Sequence, residues 1–335
     1  MLSKLGGAGV GVGNRGFSGA ESMAVTTALA RDLAAPAPGV SRQQIVDLLA
    51  DFSIETTPAA IARHGGLGLL PRATRVYVAF VPGEDWRNVV AAASQVRAAN
   101  LTPVPHVPAR SIASEGELDA FLRQLAGQAG VDQVLAIGGG LDQPQGPFAS
   151  SLALLETGLL ERHGIHTIGV AGHPEGEPVL RLPGVTTTHE QKVAYARRSP
   201  AALRLVTQFV FEPAPVLAWE RAIRHHGLPI HVGVPGPATL KTLLAYARMC
   251  GIGNSMRVLT RQGGNLLRLA SLSYPDALIS ALAAQRAADP GSRIERLHLY
   301  PFGGLARTAR WLEAVRAGAF ILHDDLGFTV DPEHG

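Results

Sequence analysis

The sequence contains a single cysteine, Cys250, among its 335 residues. One thiol excludes an intramolecular disulfide and a zinc site made only of cysteines, and it is typical of a reducing compartment. No apolar run reaches the roughly 18 residues that a membrane helix needs. These absences predict a cytoplasmic protein without a membrane-spanning segment.

The sequence also lacks a strong excess of either charge. Its net charge is +3, and only Lys4, Lys192 and Lys241 are lysines among 30 basic residues. The arginines are dispersed, without a dense patch or interleaved aromatic residues. We therefore expect no nucleic-acid partner.

Several catalytic signatures are absent as well. There is no Walker A loop and no G-x-S-x-G elbow, and the 12 histidines show neither HExxH nor HxxxH spacing. We therefore predict no metal site. His225, His226 and His231 flank a predicted helix end, and we expect them at the surface.

Residues 1–40 differ in composition from the rest of the chain. They are rich in Gly and Ala and contain no acidic residue before Glu21. Their Gly-x-Gly spacings do not make a dinucleotide fingerprint, because no strand precedes them. We expect a flexible leader, with a transit peptide or a true start near Met23 as alternatives.

From residue 51 onward, short apolar runs alternate with helical patterns. A helix capped by Ser41 comes first, and further helices are predicted at 58–64, 86–99, 114–129, 150–163, 188–199, 214–226, 237–249, 275–288 and 304–317. The eight predicted strands are 51–55, 75–80, 102–107, 133–138, 166–171, 203–211, 230–235 and 296–300. Near-continuous apolar strands are typical of a parallel sheet covered on both faces. The pattern predicts an α/β protein with one (β/α)8 TIM barrel over residues 41–335, and the alternative is a doubly wound open sheet with an added domain.

Polar residues and glycines follow the predicted strands, where barrel enzymes place their chemistry. They are Glu55, His106, Gly138–Gly140, His173, Gln208, Pro235-Gly236 and Tyr300. Each has a structural interpretation too. Glu55 could cap a turn, His106 and Gln208 could satisfy core hydrogen bonds, and the glycines could form a tight turn. An acid at the end of an apolar strand is costly to bury unless it is paired or used, which favours a functional Glu55.

Seven short motifs occur in an order and spacing that resemble the methylenetetrahydrofolate reductase family, over about residues 51–318. They are Phe52–Pro58, Pro105-His106, Val170–Gly176, Lys192, Thr207–Phe209, Val234–Gly236 and His298–Tyr300. The resemblance implies a (β/α)8 barrel that reduces 5,10-methylenetetrahydrofolate to 5-methyltetrahydrofolate with hydride from NAD(P)H. It also implies a small-molecule folate substrate, and it is compatible with a homo-oligomer.

The resemblance assigns a role to each site residue. Glu55 is the general acid, with a pKa raised by the barrel mouth. Gln208, Tyr300 and Arg307 bind the substrate. The cofactor contacts are His106, Gly138, Gly139, Gly140, Ala149, His173 and Lys192.

The flavin positions depart from the family pattern. Gly138–Gly140 replace an Arg-Gly-Asp, and Glu177, Val185, Thr188 and Gln191 stand where other flavin contacts are expected. FAD is therefore uncertain, and we favour direct transfer from NAD(P)H. A non-catalytic folate-binding partner of a methyl-transfer system, and a reductase or demethylase acting on another one-carbon carrier, remain alternatives.

Overall fold

A computed structural model describes residues 39–174, 188–250, 271–323 and 327–330. Eight parallel strands close into a barrel, so the predicted (β/α)8 fold is confirmed. The barrel strands are β1 (Ser53–Thr56), β2 (Arg75–Val78), β3 (Thr102–Pro108), β4 (Gln133–Ile137), β5 (Thr167–Gly172), β6 (Ala202–Phe209), β7 (Ile230–Pro235) and β10 (Ile294–Tyr300). The last of these pairs with β1, with Ser53 opposite His298.

Several helices begin at a residue whose side chain caps the first turn. The helices are α1 (Arg42–Leu49), α2 (Pro58–His64), α3 (Trp86–Ala98), α4 (Glu115–Ala129), α5 (Ser151–Leu155), α6 (Leu159–Arg162), α7 (Thr188–Arg198), α8 (Pro213–Ile223), α9 (Leu240–Met249), α10 (Asp276–Ala288) and α11 (Leu305–Arg316). Ser41 and Gln44 form a full capping box at α1. Ser114 Oγ caps α4 by accepting from the Glu117 N–H, and the Glu117 carboxylate accepts from the Ala113 N–H. The helix predicted over 150–163 is two helices, because Gly158 adopts a φ of 69° between them.

The segment after β7 contains both predicted helices and, in addition, a short strand pair that the sequence did not predict. Ala238–Thr239 (β8) pairs antiparallel with Leu272–Ser273 (β9), and α9 follows β8 directly. Helix α9 packs against the ends of β6 and β10 through Leu243 and Ala247. It is therefore an insertion at the carboxyl end of the barrel, and α10 is the helix that leads back to the next barrel strand.

A short C-terminal hairpin, also absent from the sequence prediction, follows α11. Phe320–Leu322 (β11) pairs with Phe328–Val330 (β12). The rings of Phe320 and Phe328 lie 4.8 Å apart, and Phe328 stacks at 6.2 Å on Trp311 of α11. The hairpin is held to the helix layer by this aromatic packing.

Alternate strand residues divide the core in two. One face of each strand packs against the helices, and the other fills the barrel with Tyr77, Val104, Leu135 and Val206. Below this layer, at the amino-terminal end, lie Arg75, Arg204 and Arg296. Arg75 and Arg296 bind the Asp51 carboxylate at 2.8 and 2.6 Å. Arg204 donates to the Gln133 side-chain oxygen at 2.8 Å. The floor of the barrel is thus a charged layer with partners for its cations.

His231 belongs to this floor, and the expectation that it lies at the surface is wrong. It is fully buried in β7, with Nε2 3.4 Å from the Glu295 carboxylate. Burial lowers its pKa to about 3, since the Glu295 contact only partly compensates. His225 and His226 lie in the short 3-10 turn at 224–226, and neither is fully buried.

The chain divides after residue 37, and the barrel lies in the unit 38–335. The predicted leader, 1–40, lies outside the described residues except for its last two positions. Among the described helices, none is both long and apolar enough to cross a membrane.

Candidate active site at the carboxyl end of the barrel

Glu55 lies near the end of β1, and its side chain is 20% exposed at the barrel mouth. Its Oε2 atom is 3.3 Å from Nε2 of His106 on β3 and 3.5 Å from Nε2 of His298 on β10. The barrel therefore brings together three ionisable groups from strands that are far apart in sequence.

The two histidines decide the ionisation of Glu55. Burial alone would raise the pKa of this carboxyl, but the charges and hydrogen bonds of His106 and His298 outweigh it and lower the pKa to about 2. The raised pKa expected from the sequence is therefore wrong. Glu55 is ionised at neutral pH, and it does not hold the reacting proton by itself in the resting site.

His298 is a site residue to which the sequence reasoning gave no role of its own. It is fully buried, and its Nδ1 lies 2.9 Å from the hydroxyl of Ser53, which is buried with it. Burial lowers the pKa of His298, although the Glu55 carboxylate opposes this. The Ser53-x-Glu55 spacing, which places both side chains on one strand face, is the signal that could have pointed to this cluster.

Gln208 and Tyr300 lie at the same end of the barrel. The Gln208 side-chain oxygen accepts from the Phe209 N–H at 3.1 Å, which leaves its NH2 group to donate to a ligand. The Tyr300 hydroxyl donates to the Thr207 carbonyl at 3.1 Å, so it ties β10 to β6. Burial raises the pKa of Tyr300 well above its ordinary value, and the residue offers a ring face more than a hydroxyl.

An aromatic wall rises beside Tyr300, made of Phe209, Tyr246, Tyr300 and Phe302. Tyr246 of α9 stacks on Phe302 at 4.1 Å, and Phe302 stacks on Tyr300 at 5.6 Å. Phe209 packs edge-on against Phe302 at 4.7 Å. Helix α9 thus closes one side of the mouth. Cys250 follows this helix, and burial together with the charge of the Glu55 carboxylate raises the pKa of its thiol to about 11.

The residues predicted to contact the cofactor are spread more widely than the three groups around Glu55. Gly138–Gly140 follow β4, and only Gly139 has a positive φ, 89°. The Lys192 ammonium donates to the Ala171 carbonyl at 2.8 Å and is buried. The Ala149 carbonyl accepts from Arg110 Nε at 3.0 Å. Two of the predicted contacts are thus used within the protein.

The other predicted positions give less information. His173 follows β5 and is half-buried, and Arg307 is exposed in the first turn of α11. Glu177 and Val185 lie outside the described residues, as does the Thr188 side chain. Within the described ranges, no group of three or more His, Cys, Asp or Glu side chains is arranged to hold a metal ion.

No protein-family model matches the chain. Among solved structures it is similar to a conserved protein of unknown function from Enterococcus faecalis, at 12% identity over 79% of this chain and 64% of that one, with a TM-score of 0.43. It is also similar to a D-allulose 3-epimerase from Methylomonas sp., at 16% identity over 56% of this chain and 73% of that one, with a TM-score of 0.32. The chain thus spans less than two thirds of the first of these proteins. Neither likeness indicates a substrate.

Proposed function

We propose that this protein is an NAD(P)H-dependent oxidoreductase that reduces 5,10-methylenetetrahydrofolate to 5-methyltetrahydrofolate. The observation that carries the proposal is the position of the Glu55 carboxyl group between two imidazoles at the mouth of the barrel. This carboxylate and Gln208 are positions that the resemblance assigns to the reaction. The reducing, cytoplasmic compartment expected from the single cysteine suits such chemistry.

The reaction needs one proton and one hydride. Protonation of N10 breaks its bond to the bridging methylene carbon and leaves a cationic iminium at N5, and hydride addition to that carbon gives the methyl group. NAD(P)H supplies the hydride. The protein must therefore hold a proton close to N10 and keep the donor and acceptor carbons in contact.

The pair formed by Glu55 and His106 can hold this proton. A carboxylate next to an imidazole shares one dissociable proton, and the exposed fraction of Glu55 faces the mouth. Delivery then passes from the imidazole through the carboxyl group to N10, which replaces the simple general acid expected from the sequence. The Gln208 NH2 group donates to the pterin and fixes the ring relative to Glu55.

The residues of this chain do not fit FAD as the resemblance would place it. Gly138–Gly140 offer no charged side chain, the Lys192 ammonium is bound to a strand carbonyl, and the Ala149 carbonyl is bound to Arg110. We therefore propose direct hydride transfer from NAD(P)H to the iminium, and no step is assigned to a flavin.

The test follows hydride with NADH or NADPH deuterated at the transferred position of C4, and methylenetetrahydrofolate as acceptor. Direct transfer places deuterium in the methyl group of the product, whereas a reduced flavin exchanges its N–H proton with water and loses the label. Wild-type protein should form labelled 5-methyltetrahydrofolate, and Glu55→Gln should slow the reaction about 10²–10⁴-fold. The matched control is Glu313→Gln on the exposed face of α11.

Two results would overturn the proposal. Absence of product with either nucleotide, with and without added FAD, would refute the reductase function and favour a folate-binding partner protein. Release of about one equivalent of flavin from denatured protein would refute direct transfer.

A further inference from the structure

Both imidazoles near Glu55 contact the same carboxylate oxygen. Nε2 of His106 and Nε2 of His298 approach Oε2, at 3.3 and 3.5 Å. Neither of these contacts involves Oε1. We propose that Ser53 and His298 are positioning residues that hold Oε2 and leave Oε1 to face the substrate. The inference rests on the proposed function for the identity of that substrate.

Burial lowers the pKa of His298, which favours the neutral imidazole, and for a neutral ring the hydrogen bonds around His298 have only one consistent direction. An ionised carboxylate accepts and does not donate, so Nε2 of His298 must carry the proton that faces Oε2. Nδ1 is then an acceptor, and the Ser53 hydroxyl at 2.9 Å donates to it. Ser53 therefore selects the tautomer of His298 that can hold Glu55.

Ser53, His298 and Glu55 lie on β1 and β10, the two strands whose pairing closes the barrel. Ser53 and Glu55 are two residues apart and share one face of β1. β10 pairs with β1 so that Ser53 lies opposite His298. The Tyr77 ring packs edge-on against the His298 ring at 4.4 Å, and the Tyr300 ring does so at 4.8 Å. These contacts restrict rotation of the imidazole, so its orientation does not depend on a ligand.

The surroundings leave few groups to titrate near neutral pH. The titratable and charged groups that act on Glu55 or His298 are His106, Tyr77, Tyr300, Cys250 and Arg204. Burial raises the pKa values of the two tyrosines and of the thiol, so these three stay protonated. The arginine stays charged. A pH profile of the reaction therefore reports on His298 and Glu55.

The direct test is ¹⁵N-resolved NMR of the imidazoles in the full chain, without folate or nucleotide. His298→Gln identifies the His298 signals by their loss. In wild-type protein we expect a protonated Nε2 and an unprotonated Nδ1. Ser53→Ala should give a mixture of tautomers, whereas Ser280→Ala, which removes another fully buried hydroxyl, should leave the His298 signals unchanged.

Activity provides the second test. Ser53→Ala should lower kcat about tenfold with little change in the folate KM, and it should move the acid limb of the pH profile upward, because Glu55 loses a fixed donor. Ser53→Thr keeps the hydroxyl and should restore the Nε2–H tautomer and most of kcat. Melting temperatures identify any variant that is misfolded. If Ser53→Ala is misfolded, His298→Gln, which keeps an N–H donor, is used in its place to test the binding of Oε2.

The outcomes separate this inference from the proposed function. A wild-type His298 protonated at Nδ1, or tautomers that Ser53→Ala does not change, would overturn the inference. An unchanged kcat and pH profile in a folded Ser53→Ala variant would also overturn it. The expected tautomers in a protein that reduces no folate would refute the proposed function and leave the assignment of Ser53 and His298 standing.

Discussion

Replacing Glu55 by glutamine tests whether the two histidines or burial controls the carboxyl group. A pKa of about 2, against an ordinary value of 4.5, corresponds to about 3 kcal/mol of preference for the ionised form in the folded protein. Glutamine resembles the neutral acid. At pH 7 we therefore expect Glu55→Gln to be about 3 kcal/mol less stable than wild type, which lowers the melting temperature by roughly 5 °C.

The pH dependence of this difference follows from the sign of the shift. A carboxyl whose pKa is lower in the folded state stabilises the fold fully above its unfolded pKa, near 4.5, and loses this contribution as pH falls toward 2. The difference between wild type and variant should therefore be constant from pH 7 to 5 and shrink below pH 4.5.

Thermal melts of both proteins between pH 7 and 3 measure this effect, with the exposed Glu313→Gln as the control. A variant more stable than wild type at pH 7 would refute the reasoning. That result would mean that burial dominates and that the carboxyl is held neutral, as the sequence first suggested.

Three further predictions concern the scaffold. The pKa of buried His231 is about 3, against an ordinary value of 6.5, so its stabilising contribution is complete above pH 6.5 and is lost as the pH falls toward 3. In melting curves, His231→Gln should therefore lose less stability than wild type as the pH falls through this range, and an unchanged dependence on pH would contradict this. Gly303→Ala should lower the free energy of unfolding by more than about 2 kcal/mol, because its Cβ would lie 2.0 Å from the Pro237 carbonyl oxygen. Gly127→Ala within α4, where space is open, should raise it by about 1 kcal/mol. Equal melting temperatures of the two variants would exclude the packing described. Arg110→Ala removes the donors to the Leu141 and Ala149 carbonyls, at 3.0 Å each, and should make the loop at 138–150 more sensitive to limited proteolysis. An unchanged cleavage pattern would show that other contacts hold this loop.

The sequence predicted most of the scaffold because local signals determine it. Apolar runs placed all eight barrel strands within a few residues of their observed bounds, and the cap residue Ser41 marked the start of α1. Helix α9 was predicted, at 237–249, but the surface against which it packs was not. Its amphipathic pattern packs on Phe209 and Tyr300 instead of on the outer face of the barrel, and a hydrophobic stripe does not specify its partner.

The electrostatic properties of the site were less predictable. The ionisation of Glu55 depends on His298, which lies 243 positions away, and on His106 from a third strand. His231 was expected at the surface because it lies near a predicted helix end, but its burial depends on which face of β7 turns into the barrel. A pKa or a burial state of this kind is a property of the assembled strands, so the sequence pattern alone could not supply it.

The two ends of the barrel use different partners for their charges, and the difference bears on function. At the floor, the Asp51 carboxylate is paired with Arg75 and Arg296, whose guanidinium groups do not release protons in the physiological range. Such pairs fix charge permanently and suit a structural role. At the mouth, Glu55 is paired with imidazoles, which hold its charge but can also give and take a proton. A carboxylate that needed only to be stabilised could have been given an arginine. Its pairing with two histidines, one of them fixed by Ser53, therefore favours a site that moves protons over one that only binds a ligand.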